Sequence, residues 1–412
     1  MNHTELTNLN WKRNIALFLT SQTISLFGSS LVQYAIMWYI TLTTQSGIMM
    51  TISIICGFLP AFFLSPFAGV WADRYNRKML IMLSDSMIAL ATLILAILFL
   101  NGYDSMWLLF VMYAIRAIGT GIQMPAVGAI LPQIVPEDKL TKVNGINGSI
   151  QALIMLISPM ASAALLSFTT IEFIFFVDVI TAAIAVLTLL LFLKIPIHTK
   201  AQEQQTTTYF NDFKEGLEYI NNHAFLKKYF IFFGAFFILA APASFLTPLQ
   251  VTRTFGANEW YLSAIEIAFS IGMIVGGGLM ASWGGFKNKT HTMTLSAIIF
   301  GICTLLFGVV PVFWLYLIFM GLAGVIMPMF NTPATVLIQE KVEANFLGRV
   351  FGVLTMISTS MMPLGMLVYG PLADIVAIEW LLIVSGLLIF ILSFFLLSSK
   401  ELIEAGKPSI EQ

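Results

Sequence analysis

Twelve apolar runs, most of them some twenty residues or longer, follow one another from about residue 14 to residue 398. Roughly 20 helical residues, rising 1.5 Å apiece, match a bilayer core about 30 Å thick. We read helices over 14–42, 47–70, 79–100, 107–130, 143–166, 171–193, 229–250, 259–283, 291–310, 312–338, 348–370 and 377–398. The runs are continuously apolar and do not alternate with period two, which excludes a transmembrane barrel. Pro60, Pro159, Pro242, Pro328 and Pro363 fall inside them, as membrane helices allow when neighbours satisfy the freed backbone groups. The predicted fold is therefore an all-α membrane protein. Hydrophobic residues make up 58% and charged ones 10% of the chain, against about 45–50% and about 25% in soluble domains. With a net charge of −1 there is no clustered basic excess of the kind a nucleic-acid surface needs.

Charge distribution sets the orientation. With the N-terminus inside, eighteen of the twenty Lys and Arg fall in segments on the cytoplasmic side; of the other two, Arg253 lies in an outer loop and Arg116 within a span. Basic residues are retained on that side during insertion, so both termini are expected in the cytoplasm of a multi-pass protein of the cell (inner) membrane. Lys12 and Arg13 precede an apolar stretch too long for a signal-peptide core. Cys56 and Cys303 sit in separate apolar runs and read as small buried hydrophobes.

The longest polar segment, 194–228, is read as a cytoplasmic linker. Its later part places Phe213, Leu217 and Ile220 on one helical face, as for an amphipathic helix lying along a membrane surface. The expected division is 1–193, a six-helix bundle; 194–228, the linker; and 229–412, a second bundle with a short cytoplasmic tail. A weak internal repeat agrees with it. Pro125-Ala126 and Pro333-Ala334 each close a Gly-rich helix, and Val135, Leu140, Lys142-Val143 and Gly145 recur as Val342, Leu347, Arg349-Val350 and Gly352, displaced by 207 positions.

Gly69-Val70-Trp71-Ala72-Asp73-Arg74-Tyr75-Asn76-Arg77-Lys78 packs four charges into six positions between two apolar runs. This pattern resembles the loop joining the second and third helices of major facilitator superfamily transporters. The stretch from Arg116 to Ala126, followed by Leu131-Pro132, Val135-Pro136-Glu137 and Asn144-Gly145, is similar to the drug:proton antiporter branch that includes the macrolide-efflux proteins. The family's fifth-helix antiporter motif is present only in part, as Gly145, Ser158-Pro159, Ser162 and Ala163, and the second-half loop Gly284-Gly285-Phe286-Lys287-Asn288-Lys289 lacks the Asp of the first. The resemblance implies two six-helix bundles with a substrate site near the midplane. It also implies a conformational latch in which Asp73, with Gly69, Arg74, Arg77 and Lys78, meets the start of the eleventh helix at Gly348 and Arg349, where a carboxylate is favoured by the helix dipole. The alternative is that these charges only fix topology.

Four ionisable residues fall within spans: Asp85, Arg116, Asp178 and Glu266. Each costs about 2.5–3.5 kcal/mol at a bilayer centre, so each should face protein or water. All four are proton-coupling candidates. Glu266 shares a face with Ser263, Ser270 and Met273, and stands as a proton carrier, as a contact for a cationic substrate or as a structural hydrogen-bond acceptor. Asp178 could instead tie the sixth helix to its neighbours, and Asp85 could pair with the basic loop. Arg116 shares a face with Thr120 and Gln123; the resemblance associates it with proton transfer, and the alternative is a structural ion pair.

Polar stripes suggest the cavity wall: Gln22, Ser25, Ser29 and Gln33 in the first helix, and Met320, Gly324, Met327 and Asn331 in the tenth. Together with Phe232, Phe233, Phe236 and Phe237 of the seventh, they suit bulky amphiphiles better than sugars or phosphates; the alternative is that the Phe and Met side chains pack against helices or lipid. The predicted function is drug export by proton antiport with alternating access. Its partners are a small lipophilic substrate, protons and the bilayer, and the protein acts as a monomer without a cofactor. No phosphate-binding Gly-x-x-x-x-Gly-Lys-Ser/Thr loop occurs, so a gradient supplies the energy unless an ATPase subunit does. Transport of one metabolite, such as a siderophore or lysolipid, is the rival reading. A sensor would need an output domain. For an enzyme, His3, His198, His223 and His291 lack metal spacing and no nucleophile motif occurs.

Overall fold

A computed structural model describes residues 11–193 and 209–407, leaving aside the side chains at 65–66, 69–70, 73–74, 137–138, 141, 209–213 and 344–345. The early linker (194–208), the tail beyond 407 and the side chains of Gly69, Asp73, Arg74 and Phe213 therefore lie outside the described residues. Among those described, twelve helices are long and apolar enough to cross a membrane, and Cys56 and Cys303 are both free thiols.

The described chain divides into two compact units, 11–40 with 52–193, and 41–51 with 209–407. The first is built from α1 (Trp11–Thr44) and α2 (Gly47–Arg74), apart from their facing ends at 41–51, with α3 (Arg77–Leu100), α4 (Met106–Ile134), α5 (Glu137–Phe168) and α6 (Ile171–Phe192). Lipid offers apolar side chains no less than protein does, so helices associate in it through close packing and hydrogen bonds. Ile180, Ile184, Leu187 and Leu191 of α6 accordingly face outward, whereas small Ala182 and Ala185 and the polar Asp178 are buried. One end of the unit closes on an apolar cluster that includes Phe18, Ile81, Ile130, Ile134, Leu189 and Leu193.

The second unit opens with the linker helix α7 (Tyr209–Asn222). Leu217 on it is 42% exposed and Ile220 is buried, so its apolar face is shared between protein and surroundings. The seventh span is broken: α8 (Ala224–Ala241) passes through a π-helical turn at Pro242–Leu246 into α9 (Thr247–Thr254). Pro242 and Pro248 cannot donate to the helical ladder, and a π turn re-registers it around them. Then follow α10 (Glu259–Trp283), α11 (Lys289–Phe307), α12 (Phe313–Lys341), α13 (Ala344–Leu372), α14 (Ile378–Ser398) and the short α15 (Lys400–Ala405). Lys228 of α8 and Glu401 of α15 form an ion pair at 2.6 Å, and that hydrogen bond holds the Glu401 carboxyl well below the usual range, at about 2. Trp260, Trp314 and Trp380 lie within the first three residues of α10, α12 and α14 and are exposed, as is Trp107 in α4, the placement of interfacial anchors.

Candidate functional site

The first unit buries three of the four intramembrane charges, and two of them neutralise each other. Arg116 Nη1 of α4 lies 2.6 Å from Asp178 Oδ2 of α6. The same nitrogen donates to Thr92 Oγ1 at 3.1 Å, and Nη2 donates to the Ser29 carbonyl of α1 at 2.9 Å. Ser29 and Thr92 in turn donate to the two Asp178 oxygens at 3.2 and 3.1 Å. Both carboxylate oxygens are thus occupied. An ion pair survives in a low-dielectric interior only when its remaining hydrogen-bonding positions are met in this way.

Asp85 of α3 is held differently. Ser25 Oγ and Gln123 Nε2 both donate to its Oδ1, at 3.1 and 2.6 Å, while Oδ2 is buried with no partner. Among the described residues Asp85 makes no salt bridge to the basic loop: Arg77 donates to the Ala72 and Ala129 carbonyls, and Lys78 to the Leu190 and Leu193 carbonyls. Cations placed against the last carbonyls of helices satisfy orphan acceptors and the negative dipole end, so both side chains brace helix ends. Gln22 is partly buried with its amide nitrogen unpartnered, while Gln33 and Thr120 are exposed. The first-helix stripe is therefore split, with Ser25 and Ser29 serving two different acids and Gln33 outside both networks.

In the second unit Glu266 lines a cavity of about 140 Å³. Phe236, Phe269, Phe300 and Phe307 supply rings to its wall, and Met320, Met327 and Met362 supply thioethers. Glu266 is the only charged residue among the lining residues. No hydrogen bond or salt bridge from a described residue reaches it. Ser270, Met273 and Asn331, expected on this wall, do not line it; Met273 is 38% exposed and Asn331 is exposed. Met273 shares Glu266's azimuth but stands seven residues on, about 10 Å along the axis, beyond so small a cavity. Gly324 packs against the backbone of α10 at Phe269 and Gly272. Of the expected aromatic wall only Phe236 faces the cavity; Phe232, Phe233 and Phe237 are buried in a ring cluster, the first two packed against Phe330. Missing from the sequence-based set were Ala243, Ser244 and Thr247 at the π turn, for which Pro242 and Pro248 were the available signal.

Of the latch residues, Arg349 lies 3.1 Å from Glu215 of α7 and over the Phe346 ring, while Gly348 is exposed with open space about its Cα.

The sequence profile of the Major Facilitator Superfamily matches residues 16–366. The chain is 29% identical over 382 residues to macrolide efflux protein A of Streptococcus pyogenes, covering 92% of this chain and 94% of that one. It is 25% identical to the staphyloferrin A transporter of Staphylococcus aureus, over 88% and 90%. Among solved structures, a variant of the nucleoside transporter NupG superposes with a TM-score of 0.73 at 16% identity, over 94% of this chain and 99% of that one.

Proposed function

We propose, for a chain that belongs to the Major Facilitator Superfamily and so carries a small solute across a membrane, that it exports lipophilic cationic compounds by proton antiport with alternating access. The observation that carries this reading is Glu266: a carboxylate with no partner among the described residues, in a cavity whose largely apolar wall is rich in Phe and Met. Aromatic faces and polarisable thioethers accept apolar cations of varied shape, and a lone acid supplies the counter-charge. A cation and a proton compete for the same carboxylate, which couples the downhill entry of one to the uphill exit of the other. The likeness to a macrolide efflux protein over nine-tenths of both chains supports the substrate class. In this reading the protein lies in the cell membrane with both termini cytoplasmic, acts as a monomer, and draws on the proton gradient without a cofactor. Residues 1–193 and 229–412 are its two bundles, and 194–228 links them.

The test is a resistance panel in an efflux-deficient host, run with and without a protonophore. Resistance to cationic lipophilic drugs that disappears with the gradient is the expected result, and Glu266→Gln should remove it. Resistance untouched by the protonophore sinks the reading. The likeness to a siderophore transporter favours a second reading, carriage of one metabolite. Drug-stimulated proton release from vesicles separates the two, since a dedicated metabolite carrier releases none.

A further inference from the structure

We infer that Asp85 is a second proton-binding site, built into the first unit and separate from the Glu266 cavity. The inference rests on the proton-antiport reading for its role in transport, but the geometry that carries it belongs to the first unit alone.

Two buried carboxyls on neighbouring helices, Asp178 of α6 and Asp85 of α3, are held in opposite ways. Asp178 is 0% exposed, with Ser29, Thr92 and Arg116 donating to its two oxygens. That arrangement has no use for a proton: adding one would displace a donor and strand the guanidinium. Asp85 is 2% exposed, and its partners are neutral. Ser25 and Gln123 both converge on Oδ1 and leave Oδ2 buried and unpartnered. An ionised carboxylate so placed carries a charge that nothing compensates, with one oxygen unsolvated. A neutral acid fits the same geometry well. Its carbonyl oxygen is Oδ1, accepting the two bonds observed, and its hydroxyl oxygen is Oδ2, which becomes a donor.

The helix that already serves Asp85 carries a further neutral polar group. Gln22 lies one turn before Ser25 on α1, and its side-chain nitrogen is buried without a partner. The charged groups on the helices packed against α3 are Arg116 of α4 and Asp178 of α6, which are committed to each other, and Glu172, in the first turn of α6 six residues before Asp178; α1 contributes Gln22, Ser25 and Ser29 here, all neutral. The hydrogen ion is therefore taken up as Oδ2–H, leaving the site neutral, and is released when the surroundings of Oδ2 become wet enough to solvate the carboxylate.

The test reads the carboxyl directly, before any substrate is known. Full-length protein labelled with carboxyl-¹³C aspartate is reconstituted in vesicles and titrated by infrared difference spectroscopy in light and heavy water. The expected result is a protonated-carboxyl carbonyl band that shifts with the label, is lost as pH rises, and is missing in Asp85→Asn but retained in Glu266→Gln. Should Asp85→Asn fail to fold, Ser25→Ala and Gln123→Leu should each shift the same band by removing a bond from Oδ1. A labelled band that Ser25→Ala and Gln123→Leu leave in place, or that persists in folded Asp85→Asn, overturns the assignment. In vesicles loaded with a drug from the resistance panel, Asp85→Asn should retain drug exchange and lose accumulation driven by a pH gradient; intact gradient-driven accumulation would overturn the coupling role. If wild-type protein moves none of the panel drugs, the antiport reading fails, while the infrared result still decides Asp85.

Discussion

Arg253 Nη2 lies 2.9 Å from Asp374 Oδ1, and the pair holds the start of α2 within the second unit. Arg253 also donates through Nη1 to the Ala373 carbonyl at 2.6 Å and through Nε to the Gln45 carbonyl at 3.1 Å. Asp374 accepts from the Gly47 and Ile48 amides at 2.7 and 2.9 Å and from Ser46 Oγ at 2.7 Å. An acid at a helix N-terminus satisfies orphan amides and meets the positive dipole end; here it comes from a turn more than 300 residues away in sequence. Thr51 completes the attachment by donating to the Met366 carbonyl at 3.1 Å.

Asp374→Asn should lower thermal stability by about 1–3 kcal/mol at neutral pH, the cost of weakening a charged acceptor that serves several donors. Partial burial by itself raises the Asp374 carboxyl, but the Ile48 and Gly47 amides, Ser46 and Arg253 outweigh it and the net shift is downward. A depressed carboxyl stabilises the fold fully above the unfolded-state value near 4 and loses that contribution as pH falls through the folded-state value. The stability gap between wild type and Asp374→Asn in detergent should therefore be constant from pH 5 to 8 and close on acidification. A gap that widens in acid would contradict the hydrogen-bond count.

For the Arg116–Asp178 pair, the loss of one partner is what costs. Removing a single member of a buried pair leaves an uncompensated charge, typically about 3–5 kcal/mol, whereas replacing both with apolar groups can be neutral. Arg116→Leu and Asp178→Leu should each depress folded yield, measured by size-exclusion chromatography of a fluorescent fusion, and the double variant should recover much of it. A double variant as poor as the worse single one would show that Ser29 and Thr92, left without charged partners, dominate the balance.

The spans could be read from the sequence because the bilayer imposes their length, and Arg116 and Asp178 could each be recognised as too costly to face lipid. Their pairing could not. It joins residues 62 positions apart, and it depends on the rotation of α4 and α6 about their axes, which an almost uniformly apolar helix does not declare. The same limit explains the tenth-helix stripe, in which Met320 and Met327 reach the cavity while Asn331 is exposed. Helical periodicity gives direction but not depth, and the cavity spans a short stretch of the axis. Asp374 carries no such signal in the sequence, since an acid in a polar turn looks ordinary without its donors.

The linker helix gives a prediction that separates packing from charge. Tyr219 is buried and stacks on Phe346 with ring centroids 4.3 Å apart, while Glu215 reaches Arg349 at 3.1 Å with its side chain 46% exposed. An exposed ion pair contributes about 0–1 kcal/mol; a buried aromatic side chain contributes about 3–5 kcal/mol when truncated to Ala. Tyr219→Ala should release α7 from α13 and speed proteolysis near residues 209–222, whereas Glu215→Gln should barely change the digestion rate. Equal effects would place the attachment in the salt bridge.

Glycines on α10 provide a control within a single helix. A Cβ on Gly272 would collide with the Gly321 carbonyl oxygen of α12, and one on Gly276 with that of Val325. Both obstacles are backbone, so α10 and α12 would have to separate, and overpacking of this kind costs about 1–3 kcal/mol. Gly277 and Gly278 have nothing within 4 Å of an added Cβ. Gly272→Ala and Gly276→Ala should therefore lower the melting temperature, and Gly277→Ala and Gly278→Ala should not. Met320 of α12 and Glu266 of α10 line the same cavity, so spreading this seam should also weaken drug binding, measured by fluorescence quenching, in the first pair of variants alone. Equal tolerance at all four positions would mean that the two helices are not held at backbone contact, and the cavity's shape would then need another explanation.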